Sequence, residues 1–220
     1  MKVTALFITF LLLLNFSFAQ EMKIKYDISM KSNDPEMQAQ LQMIEGSSLT
    51  VFVKDALSRT EMNMGGLMKT TTILDVEKKK GLMLMDGMLG KQAAPFGGTD
   101  FDKYKSKEND SKIEYTDETR VILGYKCKKA VMYMEEDNVE MTFWYTENLK
   151  TSKAYLGEYS KFGIPGVALE YGIEQSDVTM KFVAVELKTS LNDVKGLFNL
   201  NVPAGYTEKS FKEISNMSGQ

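Results

Sequence analysis

Methionine pairs spaced i, i+2 recur along this chain, at Met62/Met64, Met83/Met85 and Met132/Met134. On a strand that spacing puts both thioethers of a pair on one face. Thioether sulfur is a soft ligand for Cu(I), so the pattern raises copper handling as a first chemistry. Copper sites usually add histidine or cysteine, and the sequence has no histidine and one cysteine. Methionine also packs irregular apolar surface, in a core or in an adaptable binding pocket, and that use needs no helper residue. The residues therefore predict no resident metal and no cofactor.

The missing histidine removes Ser-His-Asp and Cys-His nucleophile systems and the commonest zinc ligand. Cys127 sits in Tyr125-Lys126-Cys127-Lys128-Lys129. Flanking lysines can lower a thiol pKa, but a lone strand cysteine is more simply a small buried hydrophobe. Glu135, Glu136 and Asp137 are adjacent carboxylates without the ligand spacing of a calcium loop, and they read as a solvated turn. No catalytic residue emerges, and an enzyme ranks last among the function classes.

The elements behind these residues are strands. Residues 21–30 alternate, with Met22, Ile24, Tyr26, Ile28 and Met30 on one face. A short helix follows, with Asn33 or Asp34 as cap, Pro35 in its first turn and Gly46 as stop. Its apolar stripe is Met37, Leu41 and Ile44. Period-two patterning returns over 48–55, 57–64, 67–76 and the 80s, then over 112–122, 125–134, 138–146, 166–174 and 178–188. Residues 90–110 read as loop, and short helices are expected near 151–160 and 208–216. About ten strands with short connections predict sequential antiparallel neighbours in one β-rich domain, in a sheet wide enough to curl.

Residues 1–19 read as a signal peptide: Lys2, an apolar run from Val3 to Leu14, and small residues at Ser17 and Ala19. Cleavage after Ala19 would leave Gln20 first and a mature domain of 20–220. No cysteine follows the cleavage site, so the expectation is a periplasmic or secreted protein and not a lipoprotein, with no transmembrane span once the signal is removed. Formal net charge is −3, with lysines and acids interleaved, which predicts no nucleic-acid partner.

Residues 81–90, GLMLMDGMLG, set a structural puzzle, because a strand there is apolar on both faces. The expected answer is that the segment 88–101, carrying Met88, Leu89, Ala93, Ala94, Pro95 and Phe96, folds over the outer face.

Four segments, ILGYKCKKA (122–130), FWYTENL (143–149), GIPGVALEY (163–171) and LFNLNVPAGY (197–206), occur in an order that resembles a family of exported Gram-negative bacterial proteins known as a domain of unknown function. That family is similar to the GLPGLI family, whose hexapeptide is matched by Gly163-Ile164-Pro165-Gly166-Val167-Ala168, with Val-Ala in place of Leu-Ile. More distantly, the element order resembles the lipoprotein-carrier fold, LolA-like. That resemblance implies a strongly curved antiparallel half-barrel whose open side is lidded by short helices. It carries over no catalytic residue. The implied function is binding of a hydrophobic ligand (acyl chain, lipid or lipidated partner), with Met37, Leu41 and Ile44 on the lid and Met83, Met85, Met141 and Phe143 on the wall. The alternative is a cell-envelope protein-interaction module whose half-barrel is filled by its own side chains.

Overall fold

The computed structural model describes residues 21–105, 112–134, 139–149, 152, 154–155, 163–175, 177–192 and 194–218. The expected signal peptide, the expected turn at 135–138 and most of the helix expected near 151–160 lie outside the described residues.

Mainly-β architecture follows from the alternation. Strands β1 (Glu21–Ser32), β2 (Ser48–Lys54), β3 (Leu57–Met64), β4 (Met68–Asp75), β5 (Lys80–Gly87) and β6 (Gly90–Gly97) form one antiparallel meander. Strands β7 (Lys112–Ile122), β8 (Tyr125–Met134), β9 (Val139–Thr146), β10 (Val167–Gln175) and β11 (Val178–Lys188) form a second. Sequential antiparallel neighbours therefore hold within each meander, though β6 and β7 lie far apart in the sheet. The two meanders join where β11 pairs with β1, so the first strand lies mid-sheet. With a two-residue strand β12 (Thr207–Glu208) at one edge, the order is β12-β6-β5-β4-β3-β2-β1-β11-β10-β9-β8-β7, and among the described residues the sheet does not close. Accumulated twist curls a sheet this wide.

Along β1, Met22, Ile24, Tyr26 and Ile28 are buried while Lys23, Lys25 and Asp27 point away. The buried side defines the core face. Cross-strand partners share a face, so the register carries this assignment across the sheet. Ile28 faces Phe182, Phe182 faces Tyr171, Tyr171 faces Phe143, and Phe143 faces Ala130. Tyr171 and Phe182 stack at 4.3 Å, and Tyr26 meets Tyr171 edge-on at 5.7 Å. The Tyr26 hydroxyl donates to the Ala168 carbonyl at 2.7 Å, so this aromatic core holds no stranded polar end on Tyr26.

Helix α1 (Pro35–Leu41) begins as the sequence predicts. The Asp34 carboxylate accepts from Glu36 N at 2.8 Å and Met37 N at 3.3 Å. It is shorter than expected, passing at Gln42–Ile44 into a 3-10 turn. Neither piece buries a side chain fully, so little packing energy extends the helix beyond two turns.

Of the segment 90–110 expected as loop, the described residues 90–105 are not loop. They contain β6 and helix α2 (Thr99–Lys105). The buried positions of β6 are Gln92, Ala93, Ala94 and Phe96, and two alanines give hardly any apolar periodicity. Pro95 is tolerated because β6 is nearly an edge strand: its outer neighbour β12 (Thr207–Glu208) covers only Gln92 and Ala93, in parallel.

The covering of β5 also departs from expectation. The segment 88–101 does not fold back over it; β6 lies beside it in the sheet. On the core face Met83 and Met85 pack with Leu74, Ala94 and Phe96 under Phe101 of α2 and Ile214 of the terminal helix α3 (Phe211–Ser218). On the other face Leu82 and Leu84 join Ile73 and Ala93 beneath Phe198, Leu200, Val202 and Tyr206. The C-terminal segment thus supplies the cover of the outer face and shares that of the core face with α2. It is tied down by Arg59 Nη1 donating to the Leu197 carbonyl at 3.1 Å and by Lys209 N donating to the Ala93 carbonyl at 2.8 Å. Ser210 and Glu213 form a reciprocal capping box that starts α3.

Candidate functional site

Every methionine that lies in a described strand points to the core face. In the first meander these are Met62 and Met64 on β3, Met68 on β4, and Met83 and Met85 on β5. The rest are Met22 and Met30 on β1, Met132 and Met134 on β8, Met141 on β9 and Met180 on β11. Three of the pairs are directly opposite in register: Met30 with Met180, Met132 with Met141, and Met64 with Met68.

Most of these methionines lie toward one end of the sheet, where β1, β3, β5, β8 and β10 finish and where α1 and the 3-10 turn sit. Met30, Met62, Met64, Met68, Met134 and Met180 are half-buried there. Deeper along the same face, Met22, Met83 and Met132 are buried. The face therefore grades from a fully buried interior to a half-buried, thioether-rich end, termed the mouth. At that rim Met43, Leu67, Met88 and Leu89 are exposed, Met88 by 94%.

Of the residues named from the sequence, Met83, Met85, Met141 and Phe143 all lie on this one face. The packing separates them: Met83 and Met85 lie under α2 and α3, whereas Met141 and Phe143 belong to the larger core. Phe143 is fully buried. Leu41 and Ile44 are half-buried and Met37 is exposed, all three at the mouth end. Sequence reasoning missed Met30, Met62, Met64, Met68 and Met180 as members of the mouth. The spacing of Met62/Met64 was a visible signal, but the cross-strand partners of these residues were not.

Chemistry of other kinds is poorly supplied. Asp75 and Glu170 are buried carboxylates in opposite halves of the sheet, each satisfied by cations. Burial would raise the Asp75 pKa, but hydrogen bonds from Lys78 outweigh it and hold the carboxyl below its ordinary value. Glu170 behaves alike: burial raises it, and Arg120 and Lys181 together bring it below the usual range. Arg120 also lies over the Trp144 ring at 4.0 Å, on the face opposite the methionines. Burial pushes the Cys127 thiol up, away from nucleophilic character. Among the described residues no group of three His, Cys, Asp or Glu side chains could hold a metal ion, and no helix is long and apolar enough to cross a membrane.

Residues 101–170 match the family model described as the N-glycanase peptide, N-terminal domain. No curated protein matches the sequence. Among solved structures, two crystal forms of PNGF-II are similar: one at 18% identity with a TM-score of 0.52, covering 92% of this chain and 33% of that one. The other is 16% identical with a TM-score of 0.50, over 90% of this chain and 33% of that one. A β-barrel-like protein of the domain of unknown function DUF1849 from Brucella abortus is 9% identical with a TM-score of 0.36, over 78% of this chain and 98% of that one. The chain thus spans about a third of the length of PNGF-II. At these identities the likeness to PNGF-II establishes a shared mainly-β fold.

Proposed function

We propose that the protein is a non-enzymatic, exported binding domain that takes a hydrophobic ligand at the methionine-lined mouth of its core face. An acyl chain, a lipid or a lipidated partner has the required chemistry. One observation carries this reading: all the strand methionines share a face, and those nearest α1 are left half-buried. Methionine accommodates irregular apolar guests, and loops gathered at one end of a rigid sheet are a usual place for binding. Burying an acyl chain is worth about 0.8 kcal/mol per methylene before ordering costs, so enclosure of part of a chain suffices without a polar anchor. The lidded half-barrel of the LolA-like and GLPGLI-related resemblance fits the same reading, with α1 as the lid. The absence of histidine supports a non-enzymatic role.

The test is native mass spectrometry and lipid extraction of the mature protein, followed by titration with a fluorescent fatty acid. Leu41→Asp and Met180→Gln should each weaken probe binding at least tenfold while the thermal midpoint shows a folded protein. If no lipid co-purifies and the probe does not bind, the reading fails. The second reading, an envelope protein-interaction module with a self-filled core, is favoured by the complete burial of Phe143 and Met132. It predicts no probe binding, with a partner instead lost on substitution of Met88 and Leu89 at the rim. Export to the periplasm or beyond is tested by intact mass: the chain should begin at Gln20, and a full-length species would count against it.

A further inference from the structure

The hairpin joining β3 and β4 closes on Met64 opposite Met68. Directly paired residues have Cβ atoms about 5 Å apart, close enough for two thioethers to share one ion. Met62 lies two residues before Met64 and on the same face. Met85 is opposite Thr70, which makes it the diagonal neighbour of Met68 from the next strand. Four methionines of three adjacent strands therefore lie on one face around Thr70, with Met64 and Met68 directly opposite and Met85 diagonal to Met68. Met62, Met64 and Met68 are half-buried and Met85 is 5% exposed, so the patch has a closed floor and an open side.

The hairpin tip is held in place. Gly65 has φ 56, and a Cβ there would overlap the backbone of Ile44 in the 3-10 turn, so the turn packs directly against the tip. Core-face neighbours of the four methionines include Leu49, Thr60, Thr70, Thr72, Gly87 and Gln92, none of them charged. Such a setting suits a soft monovalent ion; divalent cations that need carboxylate oxygens have no partner there.

We propose that Met62, Met64, Met68 and Met85 form a thioether site for Cu(I). The site shares Met62, Met64 and Met68 with the mouth of the hydrophobic-ligand reading but does not depend on that ligand. The spacing in sequence suggested copper only through pairs on single strands, and it counted against copper the lack of histidine. The register alters that balance by adding ligands from neighbouring strands, so an all-thioether set needs no histidine.

Anaerobic titration of the mature protein with Cu(I), in competition with bicinchoninate, should show one ion per chain, and native mass spectrometry with Ag(I) should show the same stoichiometry. The double variant Met64→Leu/Met68→Leu should lose at least tenfold in affinity. A control, Met132→Leu/Met141→Leu, removes another paired couple from the same face and should retain the ion. Failure of this site is separated from failure of the ligand reading by titrating the unmodified protein with Ag(I) and with the fatty-acid probe in parallel, since either can bind without the other. Should the first variant prove unstable, methyl NMR of the four methionines in the unmodified protein gives the answer, because only theirs should shift with Ag(I). No competition with bicinchoninate, equal losses in both double variants, or no loss in the first would each overturn the site.

Discussion

Gly81 lies directly opposite Phe96 in the β5–β6 pair, and a Cβ built on Gly81 would overlap the Phe96 ring. The ring fills the space the glycine leaves open, an arrangement that lets an aromatic neighbour compensate for a bare strand position. Phe96 in turn meets Phe211 at 4.4 Å and Tyr104 at 5.6 Å, so the glycine sets the position of the contacts that hold α2 and α3 on the sheet.

Gly81→Ala should therefore destabilise the protein by about 1–3 kcal/mol, because the ring cannot move without disturbing three neighbouring rings. Phe96→Ala should cost more, about 3–5 kcal/mol, by leaving a cavity. Chemical denaturation of both variants checks the order; an unchanged midpoint for Gly81→Ala would show that the aromatic cluster yields freely.

Glu170→Gln should lower stability by about 1–3 kcal/mol at neutral pH, since it leaves Arg120 and Lys181 facing an uncharged group. The folded-state pKa of Glu170 lies below the ordinary glutamate value. Its contribution is therefore present above that ordinary value and is lost as pH falls through the folded-state value. Denaturation curves of the two proteins should converge in that acidic window. A gap that persists there would mean that packing, not charge, causes the difference.

Cys127 should resist labelling while the protein is folded. It is fully buried, and burial holds its thiol protonated. Maleimide at pH 7.5 should react slowly with native protein and rapidly in guanidinium chloride. Rapid labelling of the native form would place the thiol at the surface.

Neither EDTA nor a reductant should move the thermal midpoint, because a single cysteine forms no internal disulfide and the described residues hold no metal cluster of nitrogen, oxygen or thiolate ligands. A drop of several degrees with either reagent would reveal a crosslink or an ion essential to the fold.

Strand and turn chemistry are local, and the sequence by itself determined them where side chains were large. Alternation in residues 21–30, the Asp34–Pro35 helix start and the strands either side of Gly124 all come through as expected. It failed at β6, because alanine, glycine and proline carry almost no apolar periodicity and the strand is defined by its partners. Only the tertiary structure decided which faces look inward. Period two says that Met62 and Met64 share a side, yet it is silent on whether Met85 or Met180 shares it too, since a slip of one residue reverses a whole strand. Register comes from pairing between distant segments, above all β1 with β11, which no local pattern encodes. The same applies to residues 81–90: their two apolar faces are legible in the chain, but apart from Phe101 of α2 the cover came from residues more than a hundred positions away, brought there by packing of Phe198, Leu200 and Ile214. Hydrophobic burial is non-directional, so a sequence can show that a surface must be covered without showing what covers it.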